Sequence, residues 1–207
     1  MSAMTFLADD LLHALTLGSL TARHTRNGDP DDLPAARHVH LVQPVGSTRL
    51  RVCSARGDEF SMAAARSWPP VPPIVDAPTL APVALHVFET AALIARLRPL
   101  GPLGARVILA VQDGQLTLHD AAAADHPLAV ARSYAHEHQA PAIPCAPEPR
   151  GTPAPEVVTV PAGVLADLGG STASRTPVSF TGTPGQPGLL TWTCGPDAHG
   201  RLRMPTP

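Results

Sequence analysis

The chain contains no lysine; all 15 of its basic residues are arginine. A GC-rich coding sequence accounts for that choice, and no function is built on it. Positive charge is not in excess either, because 17 acidic residues leave a formal net charge of −2. That balance excludes coating nucleic acid by bulk electrostatics, so any DNA contact has to be local or topological. Cysteine is scarce. Cys53, Cys145 and Cys194 are far apart with no Cys-x-x-Cys, which excludes a disulfide framework or zinc knuckle and fits a reducing cytoplasm. No run approaches the ~18 apolar residues of a membrane span, and Asp9 and Asp10 stand where a secretion signal carries positive charge. The expected location is cytoplasmic, with no membrane partner.

With 207 residues, 44% of them hydrophobic, the chain is long enough to bury a core in one or two domains. Its 25 prolines and 16 glycines fall between apolar stretches, which predicts many short elements joined by turns and few long helices.

The most informative pattern is internal. "MAAARSWPP" (62–70) and "LAVARSYAH" (128–136) both close an alternating apolar stretch on Ala-Arg-Ser-aromatic, and their Arg-Ser pairs lie 66 residues apart. That spacing divides the chain into thirds, each opening on a segment of helical period. The first is "FLADDLLHALTLGSLTAR", with Leu7, Leu11 and Leu15 on one stripe. The second is "FETAALIARLRPLG", and the third is "PAGVLADLGG", which has proline at a helix start and glycines at its stop. Strand-like alternation follows each, with Asp113-Gly114 the clearest hairpin turn. "VALHV" and "EVVTV" add a leading strand to the second and third units, whereas the first offers only "AMTF".

The expected fold class is α+β, three β-α-β-β-β units with helices on one face of antiparallel sheets. Such a unit leaves sheet edges open, and two units cover each other's edges. Residues 1–138 are therefore expected to form one domain of two units. Residues 139–155 would be a proline-rich linker, and 156–207 a third unit without a partner inside the chain, completed by another chain in a homo-oligomer.

This order of elements resembles the bacterial DNA sliding clamp, the β subunit of the replicative polymerase. "LRVCSARGDEFSMA" (50–63) is similar to a strand-turn-strand of that family, "VTVPAGVLADLGG" (158–170) to its helix-opening segment, and "GRLRMPTP" to its carboxyl end. The resemblance implies a processivity-factor-type protein, an oligomeric ring or partial ring associated weakly and topologically with double-stranded DNA, docking DNA polymerase or other clamp-binding peptides. It implies no cofactor and no catalysis. The peptide groove carried over from the family comprises Gly57, Phe60, Leu202, Met204 and Pro205, and the DNA-facing residues are Arg23, Arg26, Arg96 and Arg98. Asp58 and Glu59 depart from the basic or aromatic character of that groove and would repel acidic peptides. Thr206-Pro207 replaces the usual Arg-Leu ending. At three units per chain, four chains would supply a twelve-unit ring and a dimer half of one. The helix charges cancel, which also admits a clamp-derived regulatory or interaction module that encircles nothing.

Other constellations read as structure. Arg56-Gly57-Asp58 is a polar turn, and "TGTPGQPG" is a hairpin loop without the lysine of a phosphate loop. "LGGSTAS" lacks the second glycine of a nucleophile elbow. His38 with His40, and His136 with His138, share strand faces but lack acidic or cysteine partners at ligand spacing, so they are read as solvated or capped rather than as a metal site.

Overall fold

The structure is a computed structural model that describes residues 2–23, 34–68, 79–143, 160, 162–171, 176–182, 186 and 188–203. The first third contains β1 (Ser2–Leu7), α1 (Ala8–Gly18), the short α2 (Leu20–Arg23), β2 (His38–Val42), β3 (Arg49–Arg56) and β4 (Glu59–Arg66). The second contains β5 (Val83–His86), α3 (Val87–Leu97), β6 (Arg106–Gln112), β7 (Gln115–Asp120) and β8 (Ala123–Arg132). The last third contributes α4 (Ala162–Ser171), β9 (Val178–Gly182), β10 (Leu189–Cys194) and β11 (Ala198–Arg203). The expected succession of units is present, except that the leading strand read at "EVVTV" lies, apart from Val160, outside the described residues. "AMTF", short for a strand by itself, belongs to a full six-residue strand, because its ladder partner β6 is supplied by the second unit.

Units one and two exchange their leading strands. β1 joins the second unit in a four-stranded sheet ordered β1-β6-β7-β8, and β5 joins the first at the edge of β2. The longer sheet then continues across a unit boundary as β5-β2-β3-β4-β11-β10-β9, antiparallel at every described ladder. The third unit is thus anchored within the chain, edge to edge on the first, which corrects the expectation that it has no partner there. The sequence pattern could not reveal this, since the Ala63↔Ala198 register joins residues more than a hundred positions apart.

The repeated Ala-Arg-Ser-aromatic performs the same task twice. The Ser67 amide donates to the Thr48 carbonyl (2.9 Å) and the Trp68 amide to Thr5 of β1 (2.7 Å). In the second unit the Ser133 amide donates to Gly114 (2.7 Å) and the Tyr134 amide to Ala84 of β5 (2.7 Å). Each motif ties the last strand of a unit to that unit's own leading strand, so an amide that would otherwise be orphaned at the strand end is satisfied.

One continuous core lies between the helices and the sheets. Leu11, Leu15 and Leu17 of α1 and Leu93 and Leu97 of α3 bury against Val39, Val52, Leu109 and Leu116, and Trp192 of the third unit joins the same cluster. Full burial of side chains of this size contributes about 1.5–3 kcal/mol each. The Asp113-Gly114 turn is formed as expected, with φ of 49° and 74°, the positive pair that a two-residue hairpin demands.

Helix α1 stops where it meets the sheet. The Gly18 carbonyl accepts hydrogen bonds from Ser54 Oγ (2.8 Å) and Ser61 Oγ (2.9 Å), while those oxygens accept the amides of Ala22 (3.3 Å) and Thr21 (3.1 Å). Two buried serines on β3 and β4 therefore satisfy the break between α1 and α2.

Candidate partner-docking and DNA-facing surfaces

The elements named for the groove do meet. Phe60 of β4 stands opposite Arg201 of β11, whose guanidinium lies 5.6 Å over the phenyl ring, and His199 touches the same ring edge-on at 5.9 Å. Beside them, the turn at Gly57 brings Asp58 within 2.9 Å of Arg203, and the buried Glu59 carboxylate accepts the Arg203 amide and the Arg56 Nε–H (2.9 Å).

Strand alternation nonetheless separates Phe60 from Leu202. Phe60 lies on the side of the sheet away from the helices, whereas Leu202 sits in the helix-facing core, and both are buried. They do not line one groove. What this edge presents is the Gly57 turn with Asp58, Arg201 and Arg203; Met204 and Pro205 lie outside the described residues.

The other end of the joint between units one and three is also charged. The Ala64 amide donates to the Asp197 carbonyl (2.9 Å), and the Asp197 carboxylate pairs with Arg49 and with Arg66 (3.4 Å). A cleft of about 160 Å³ opens here, lined by Asp10, His13, Arg66, Thr176, Cys194 and Asp197 among others. Burial, and then the neighbouring Asp9, hold the Asp10 carboxyl above its ordinary value, and burial pushes the Cys194 thiol up. A thiol raised in this way is a poor nucleophile.

The arginines assigned to DNA are divided. Arg96 and Arg98 are exposed at the end of α3, Arg23 is partly buried at the end of α2, and Arg26 lies outside the described residues.

Histidine clustering was missed by the sequence reading. His38 and His40 are buried, not solvated. The His38 ring is 4.1 Å from that of His138, 5.6 Å from His86 and 5.4 Å from Tyr134. Burial, followed by the charges of His38 and His138, pushes His40 down to about 4. The signal lay in the His-x-His spacing of β2, whose partners the strand exchange supplies. Among the described residues no three His, Cys, Asp or Glu side chains are arranged to hold a metal ion, and no helix is long and apolar enough to cross a membrane.

No protein-family model matches the chain, and no curated protein sequence does. Solved structures do. The sliding clamp (DNA polymerase III subunit β) of Pseudomonas aeruginosa, in a structure bound to griselimycin, superposes with a TM-score of 0.59 at 11% identity over 100% of this chain. The fold is that of a bacterial sliding clamp. The clamp of Thermotoga maritima gives 0.58 at 8% identity, and that of C. crescentus 0.57 at 15%. This chain spans 66% of the P. aeruginosa clamp and 64% of the T. maritima one. Identity this low carries the clamp fold and leaves function to the residues.

Proposed function

We propose that this chain is a non-catalytic scaffold of the sliding-clamp type, an oligomeric ring or partial ring that holds double-stranded DNA topologically and docks partner proteins. The observation that carries this reading is the architecture: β-α-β-β-β units set edge to edge, with one sheet running through a unit boundary and the helices kept to one face. Such a layout extends by adding units and suits enclosure rather than chemistry. Arg96 and Arg98 supply local phosphate contacts on the helical face. Peptides of DNA polymerase or other clamp-binding proteins would dock along the Gly57 turn beside β11, where the pairing of Asp58 with Arg203 and of Glu59 with Arg56 neutralises the acidic charge that the sequence places there.

The test is retention on nicked circular against linear DNA of the same length, with the mass in solution read by light scattering. Topological holding predicts an oligomer kept on the circle and lost from the free ends; equal behaviour on both refutes it. A second reading, a clamp-derived regulatory or interaction module that encircles nothing, is favoured by the cancelling charges of the helices. Peptide binding that persists while DNA retention is absent even at low salt selects it.

A further inference from the structure

The chain leaves β8 through a single turn, residues 134–138, that packs against the first unit. The Tyr134 amide fastens its start to Ala84 of β5, and the amides of Glu137 and His138 both donate to the Tyr134 carbonyl (2.9 and 3.0 Å). Tyr134 and His138 are half-buried, whereas His136 and Glu137 are exposed. The turn lies on the face of β2 and β5 that points away from the helices. Val39, Leu41, Val83 and Leu85 of those strands fill the core, so alternation turns His38, His40 and His86 to the opposite side. There the His138 ring meets His38 at 4.1 Å with the planes 33° apart, and Tyr134 meets His38 edge-on at 5.4 Å.

This contact suits neutral imidazoles. Below about pH 6.5 an imidazole ordinarily takes a proton, and two imidazolium rings this close repel. The acidic side chains of the adjoining elements are engaged elsewhere. Glu89 of α3 accepts the amides of His86 (3.2 Å) and Arg132 (3.0 Å), and Glu137 turns outward to His136 (3.1 Å) and Arg132 (3.7 Å). The remaining charged neighbours are positive: the Arg132 guanidinium lies 5.0 Å over the Tyr134 ring, Arg37 precedes His38, and Arg51 of β3 stands opposite Val42. Cys53, opposite His40, stays a neutral thiol because burial pushes it up to about 12. His86, 5.6 Å from His38, caps α3 by accepting the Phe88 amide at Nδ1 (3.4 Å), which an imidazolium, a donor at both nitrogens, cannot do. Burial, then the charges of His38 and His138, hold His40 down to about 4, so above that pH it stays neutral beneath the turn.

We propose that residues 134–138 are an acid-released strap, which holds the end of the second unit on β2 while the His38 and His138 rings are neutral and lifts off when both are protonated. Release bares the His38 and His40 face of the sheet and frees the start of the connection to the third unit. Neither state requires DNA or a partner protein, so the strap stands or falls separately from the clamp-type reading above.

The experiment is hydrogen exchange on the full chain at about pH 7.5 and about pH 5, with each rate divided by the intrinsic exchange rate at that pH. Protection of the Tyr134, Glu137 and His138 amides should fall about tenfold or more on acidification, while the β3–β4 ladder loses less. His138→Gln and His38→Gln each remove one of the two charges, and both should leave the strap equally protected at the two pH values. His136→Gln, on the exposed side of the same turn, should respond like the parent. Circular dichroism melts at both pH values verify that each variant is folded. Strap protection that does not fall on acidification overturns the proposal. A fall that persists in both His38→Gln and His138→Gln overturns it too, as does one shared equally by the β3–β4 ladder, which reports global unfolding instead.

Discussion

Replacing Gly18 by alanine should destabilise the protein even though alanine is the better helix former. A Cβ at this position would lie 2.3 Å from the Val52 carbonyl oxygen and 2.8 Å from the Val52 Cβ, both parts of a central strand that cannot swing away. Relief requires α1 to lift from the sheet by about 1 Å, and overpacking of this kind costs about 1–3 kcal/mol. Lifting also stretches the bonds from Ser54 and Ser61 to the Gly18 carbonyl, each contributing about 1 kcal/mol. The gain in helix propensity offsets about 1 kcal/mol, so the net loss is about 2–4 kcal/mol. At the ~2–4 °C per kcal/mol of a chain this long, the melting temperature should fall by about 5–15 °C. Gly169 in α4 is the matched control. Its added Cβ meets no atom within 4 Å, so the same change there should be neutral or raise stability by up to about 1 kcal/mol. Thermal and urea melts by circular dichroism read both. A Gly18→Ala protein that melts at or above the parent temperature would refute the close approach of α1 to β3.

Acid should weaken the fold through His40. Its folded pKa is pushed from 6.5 to about 4, so the unfolded chain takes the proton first and stability falls as pH drops through that window. The full loss is on the order of 3 kcal/mol, and His40→Gln should flatten the slope of urea midpoints between pH 6.5 and 4. Asp197→Asn removes the charge paired with Arg49 and Arg66 at the unit-one to unit-three joint; these pairs are partly exposed, so the loss should be at most about 1 kcal/mol. It should fade as salt is raised, measured by urea melts at two ionic strengths. Arg96→Ala with Arg98→Ala should leave the melt unchanged and flatten the salt dependence of DNA retention by about one log unit per lost phosphate contact.

Local chemistry was enough to read the units. The apolar period of α1 and α3, the Asp113-Gly114 turn and the recurrence of Ala-Arg-Ser-aromatic each concern neighbours a few residues apart, and such neighbours carry their geometry in their types. The amides of Ser67 and Ser133 find equivalent carbonyls because the hairpins preceding them have the same length. Other features depended on which edges meet. β1 is stable only because β6 lies beside it, and the fate of the third unit turned on β11 finding β4. The faces taken by Phe60 and Leu202 follow from a register that no local pattern records, since shifting an antiparallel pair by one residue inverts every side chain. Gly18 shows the same division. As a residue it is an ordinary weak point in a helix, and only the strand passing beneath it makes the missing side chain necessary. Sequence by itself determined the helices, turns and alternating strands, because those depend on adjacent backbone and side-chain sterics. The exchanged strands, the seven-stranded sheet and the gathered histidines were decided by tertiary structure, where distant edges compete for the same unpaired amides and carbonyls.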